Sequence, residues 1–226
     1  MKRSIHWPWM LGYAVALALL EAVVVVYLRA LYYPQGGLFP MVAFAPEMIP
    51  VEMAREVATM VLLLAPAALV TRSALQRFGW FCVLFGVWDL FYYIWLRVLI
   101  GWPADILEWD ILFLLPVPWL GPVLAPCLVS MGLIVFGVLL LRGRRPRPWH
   151  WVALVFGALV ILSALVWEPV QHLLRNGHGI WSMQALAGGA GGLEGHVPER
   201  FPWWLFAMGC APCLWALGRM SAGKSW

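Results

Sequence analysis

Residues 78–100 read FGWFCVLFGVWDLFYYIWLRVLI, with Asp89 and Arg97 as the only charged side chains. Crossing ~30 Å of hydrocarbon at 1.5 Å per residue takes about 20 helical residues, so this stretch is long and apolar enough to span a bilayer. Five further stretches pass the same test. The expected spans are Trp9–Tyr32, Val51–Val70, Phe78–Ile100, Trp119–Leu141, Trp149–Trp167 and Pro202–Leu217. Composition agrees: of 226 residues, 63% are hydrophobic and 12% charged, against roughly 45–50% and 25% in soluble chains. Fifteen basic and 11 acidic residues cannot coat a soluble fold of this size, which excludes a soluble enzyme, a disordered chain and a nucleic-acid-binding domain.

Charge placement sets the expected orientation. The apolar run after the N-terminal MKR continues to Tyr33, past the ~7–15 residues of a signal's apolar region, and reads as an uncleaved first span. With the N-terminus inside, the inner segments carry Lys2 and Arg3, Arg72 and Arg77, Arg142, Arg144, Arg145 and Arg147, then Arg219 and Lys224, without one acidic residue. The outer loops hold Glu47, Asp105, Glu108, Asp110, Glu194 and Glu199. Every loop obeys the positive-inside rule, so both termini are expected inside, and many of the 16 Trp fall near span ends as interfacial anchors. The fold class expected is an all-α, polytopic helical bundle, one transmembrane domain over residues 1–226. No repeat relates the first three spans to the last three.

Two stretches are irregular. ILFLLPVPWLGPVLAP places Pro116, Pro118, Pro122 and Pro126 in apolar sequence just before and into the fourth span. Each removes a backbone donor, so a regular helix is not expected there, and the freed backbone has to be shielded by protein or line a wet cavity. The outer connection from Pro169 to Arg200 has seven glycines, including GGAGG, and reads as a tether or a flexible cover.

An ionisable residue at membrane depth is costly and marks a candidate site. Glu21 and Asp89 sit near the middle of their spans. Asp89, Tyr93 and Arg97 follow at i, i+4 and i+8, forming a polar stripe that Trp88 and Tyr92 widen. In the second span, Val57–Val70 is too short to cross, so the helix has to include EMARE, putting Glu52, Arg55 and Glu56 on one face. Helix dipoles also account for acidic residues in a first turn and for Arg29 and Arg97 near C-terminal ends. Glu21, Arg55, Asp89, Tyr93 and Arg97 are the expected ligand-binding residues.

Glu168 and His172 share the four-residue spacing of Glu52 and Glu56. Two helices could therefore offer a Glu/His metal site for Zn, Mn or non-haem Fe, with His178 as an extra ligand. Ion pairing, with Arg55 beside Glu56, is the competing reading. In CAPC, Cys210 and Cys213 lie in an apolar span without a basic neighbour to activate a thiol, and read as packing residues. The five His lie near span ends or in loops, which disfavours a bis-His haem. Clustered His boxes, a phosphate-binding glycine loop and a Gly-x-Ser-x-Gly elbow are missing, and the GKS at 223–225 lacks the upstream glycine.

REVATMVLLLAP, FGVWDLFYYIWLRVLIGWP and DILFLLPVPWLGPVLAP, within residues 55–126, resemble an uncharacterised group of bacterial six-span membrane proteins with no established activity. The resemblance implies a membrane location and assigns no catalytic residue. The expectation is therefore a multi-pass protein of a bacterial cytoplasmic (inner) membrane with a polar cluster opening outward. Three functions follow as alternatives: binding or transport of a polar solute or lipid headgroup; a metalloenzyme using Glu52, Glu56, Glu168 and His172, with Asp89 or Tyr93 in proton transfer; or an accessory subunit docked on a membrane-protein partner.

Overall fold

The computed structural model describes residues 6–42, 45–114, 118–177 and 193–222. Lys2, Arg3, Pro116, His178, the GGAGG run and Lys224 lie outside them. Among the described residues there are seven helices: α1 (His6–Tyr32), α2 (Met48–Val70), α3 (Ala74–Ile100), α4 (Leu124–Leu141), α5 (Pro148–Leu165), α6 (Trp167–Arg175) and α7 (Trp203–Ala222). All but α6 are long and apolar enough to cross a membrane. α2 does begin before EMARE, as its length required. Ser73 caps α3 by accepting from the Gln76 amide, and Gly101 ends it with φ 70°, a left-handed conformation that glycine adopts without a Cβ clash.

Helices in lipid associate through close packing rather than water exclusion, so small residues mark their contacts. α3 is the hub, packed on α1, α2 and α4, while α5 packs chiefly on α7. Ala14, Ala18 and Ala22 form a fully buried stripe on α1, and the Trp95 indole of α3 donates to the Val15 carbonyl at 3.1 Å. Between α3 and α4 the backbones nearly touch: a Cβ on Gly86 would lie 2.6 Å from the Ser130 carbonyl. Gly157 and Gly209 do the same for α5 and α7. Cys213 lies against Gly157, a packing position.

The proline-rich stretch corrects the all-helical expectation. β1 (Trp109–Phe113) and β2 (Trp119–Pro122) form an antiparallel hairpin, with Asp110 opposite Gly121 and Ile111 opposite Leu120. The fourth span accordingly starts at Leu124, not Trp119. The aromatic and β-branched residues of WDILF suit a strand, and Pro122 sits at a strand end, where the missing donor costs least. The hairpin folds back into the bundle. Phe113 lies 6.4 Å from Phe85, and Phe85 is about 22 Å along α3 from the Ile100 end. A hairpin so placed needs internal partners for its backbone, and Glu56 supplies one by accepting from the Leu114 amide at 2.7 Å.

At the hairpin end, Met41, Leu120, Leu173 and Leu193 form a small core. Backbone bonds from Met41 to His196 and from Gly195 to Met41 tie the α1–α2 connection to the segment before α7.

Candidate functional site

A cavity of about 750 Å³ is lined by all six long helices and both strands, within the roughly 300–1,000 Å³ of small-molecule sites. Its two halves differ in chemistry. Toward the hairpin end, α1 contributes Glu21 and Arg29, α2 contributes Glu52, Arg55, Glu56 and Thr59, α3 contributes Asp89, Tyr92 and Tyr93, and β1 contributes Asp110. Toward the other end the wall is apolar, with Leu133 and Phe136 of α4, Trp151, Leu154, Val155 and Ala158 of α5, and Leu214 and Leu217 of α7.

Arg55 organises one side of the polar half. Its guanidinium contacts Glu21 and lies 2.8 Å from Glu52, while Thr59 donates to Glu21 at 3.2 Å. Glu52, Glu56 and Thr59 are all buried. The i, i+3 spacing of Glu52 and Arg55 and the facing position of Glu21 make the interaction a shared one: one cation serves two carboxylates from two helices.

Asp89 holds the centre. It is 8% exposed, and Ser130 of α4 donates to its Oδ2 at 2.8 Å across the tight α3–α4 contact. Among the described residues no Arg, Lys or His is in ion-pair contact with it. Trp88 and Tyr92, one turn apart on α3, present rings 6.4 Å apart and nearly parallel, and the Tyr93 ring stands edge-on to Tyr92 at 4.9 Å.

Arg29 and Asp110 form a second ion pair at 3.4 Å, with the guanidinium 3.8 Å over the Trp102 ring. Asp110 is 2% exposed. Burial pushes its carboxyl up to about 6, and the charge of Arg29, with hydrogen bonds from the Tyr93 hydroxyl, the Ile111 amide and Arg29, only partly opposes this. Sequence reasoning left both residues out, Arg29 as a helix-end charge and Asp110 as an outer-loop carboxylate. Residues 110–114 all line the cavity, and the available signal was a single acid set in the apolar run WDILF. Four atoms from cavity residues are buried without a hydrogen-bond partner among the described residues: Arg29 Nε, Trp88 Nε1, Trp119 Nε1 and Asp110 Oδ2. Buried polar groups are rarely left unpaired, so these mark where a polar ligand has most to gain.

Of the expected ligand-binding residues, Glu21, Arg55, Asp89 and Tyr93 line the cavity, and Arg97 does not. The Arg97 guanidinium turns back to the Gly101 and Pro103 carbonyls at the end of α3. Of the expected metal ligands, Glu52 and Glu56 line the cavity, whereas Glu168 and His172 are on the short helix α6. There Glu168 lies 3.6 Å from His196 Nε2 and accepts from the Arg200 amide, and the His172 and His196 rings are 4.4 Å apart. Burial and the neighbouring His172 lower the pKa of His196, against the pull of Glu168 and Glu199. Among the described residues no group of three or more His, Cys, Asp or Glu is arranged to hold a metal ion. Cys210 and Cys213 are free thiols on the apolar wall. No protein-family model, curated protein or solved structure matches the chain, so the site is read from its own residues.

Proposed function

We propose that this chain is a multi-pass membrane protein that binds an amphiphilic molecule. The polar head sits among Glu21, Arg55, Asp89 and Asp110, and the tail sits between α4 and α5. The observation that carries this reading is the continuity of one cavity from an ionisable half to an apolar half. A water-soluble solute would leave the apolar half wet, and a plain hydrocarbon would leave the carboxylates and guanidiniums desolvated without compensation. The tail end also has an exit. Leu128 and Val155 line the cavity and are 39% and 54% exposed, which supports sideways entry from the bilayer between α4 and α5.

Orientation belongs to the same proposal. Arg72, Arg142, Arg144, Arg145 and Arg147 flank the helix ends opposite the hairpin, and Arg77 and Arg219 lie in the terminal turns there, which supports that end as the inner one, in a bacterial cytoplasmic membrane. The headgroup end then faces outward.

Gly132 supplies the test. It lines the cavity, and a Cβ placed on it meets nothing within 4 Å, so Gly132→Phe is expected to project its ring into the apolar half. Native mass spectrometry of the purified protein is expected to show a one-to-one amphiphile adduct that Gly132→Phe lacks. An adduct absent from the wild type, or equally abundant in the variant, overturns the reading.

A further inference from the structure

We infer that the cavity selects amphiphiles whose headgroup carries a positive charge, an ammonium held by Asp89 and Asp110 against the aromatic wall of Trp88 and Tyr92. The inference rests on the amphiphile reading above and adds the sign of the head. Three observations support it independently. The cavity lining contains five carboxylates and two guanidiniums, and both guanidiniums are already engaged, Arg55 with Glu21 and Glu52, and Arg29 with Asp110. Asp89 has a hydroxyl partner in Ser130 and no cation from the described residues. Asp110 Oδ2 is buried on the cavity wall without a hydrogen-bond partner of its own among them, the Tyr93 hydroxyl, the Ile111 amide and Arg29 serving the rest of the carboxyl.

The site also holds its own precedent. Arg29 lies between a carboxylate at 3.4 Å and an indole face at 3.8 Å, an arrangement in which the ring quadrupole and the anion both favour a cation. Asp89 adjoins Trp88 on α3, and Trp88 and Tyr92 line the same cavity with their rings 6.4 Å apart. Quaternary and primary ammonium groups share this chemistry. A primary ammonium also brings N–H donors for Asp110 Oδ2, while a quaternary one relies on the rings.

Three brominated twelve-carbon probes of equal tail length decide the matter: a trimethylammonium, a phosphate and a maltoside, each titrated against tryptophan fluorescence of the full-length protein in non-ionic micelles. Quenching that Gly132→Phe abolishes counts as cavity binding. The trimethylammonium probe is expected to bind at least tenfold more tightly than the phosphate. Asp89→Asn is expected to cut that preference to threefold or less. Trp88→Leu, read by the same ratio, serves should Asp89→Asn fail to give monodisperse protein. If all three probes bind alike and Gly132→Phe still blocks them, the charge inference fails and the amphiphile reading stands. If no probe shows quenching sensitive to Gly132→Phe, the amphiphile reading itself fails. A preference for the phosphate probe overturns the inference outright.

Discussion

Replacing Asp110 with Asn measures the cost of burying its charge beside Arg29. The carboxyl titrates at about 6 in the folded protein, against an ordinary value of 3.8, so the folded state holds its proton more tightly than the unfolded chain does. The contribution of this group to stability is therefore lost as pH rises through the interval from 3.8 to about 6, and below it the penalty vanishes. At about 1.4 kcal/mol per pH unit, that interval corresponds to about 3 kcal/mol. Asn has nearly the same shape and cannot ionise. By that linkage Asp110→Asn is expected to match the wild type near pH 4 and to exceed it by up to about 3 kcal/mol at pH 7. Arg29 faces a neutral partner in both proteins at pH 4, so the change in their difference with pH isolates the carboxylate. Equilibrium unfolding in mixed micelles at several pH values reads it. A difference that stays flat, or a wild type that gains on the variant as pH rises, refutes the reasoning and makes the Arg29 pair the stronger force.

Four other outcomes follow from the same geometry. Gly86→Ala forces a Cβ to within 2.6 Å of the Ser130 carbonyl and is expected to cost about 1–3 kcal/mol in unfolding experiments. Gly132→Ala on the partner helix meets open space and is expected to be neutral or up to about 1 kcal/mol stabilising. Glu56→Leu removes the acceptor of the Leu114 amide, costing about 1–3 kcal/mol, whereas Glu56→Gln keeps an acceptor oxygen; hydrogen exchange at Leu114 is expected to accelerate more in the first variant. The buried His196, whose pKa is lowered, binds its proton less readily folded than unfolded. Its contribution therefore falls as pH drops below about 6.5, and His196→Gln is expected to flatten that part of the thermal-unfolding profile relative to the wild type.

The helices were legible because each is decided locally, by an apolar run of sufficient length. The need for α2 to absorb EMARE, and hence to carry Glu52, Arg55 and Glu56 toward the interior, followed from counting residues. The hairpin was legible only as a refusal to be helical: prolines exclude one structure without naming another, and the apolar residues on both sides carry no alternation to set the register of Asp110 with Gly121. Arg29 and Asp110 were missed for another reason. Each has a sufficient local explanation, a helix C-terminus for one and a loop for the other, and only the folded-back hairpin brings them together. Arg97 shows the converse. Its spacing from Asp89 and Tyr93 is that of one helix face, yet the nearby carbonyls of Gly101 and Pro103 offered its long side chain a closer partner.

The central claim is that one cavity houses both ends of an amphiphile, and a cryo-electron microscopy map of the protein in a lipid nanodisc tests it most directly. The account predicts one elongated density with its head within hydrogen-bonding reach of Asp89 and Asp110 and its tail running past Gly132 between α4 and α5. A map in which that space is closed by helix movement, or holds separate water-sized features with no continuous tail, would contradict it.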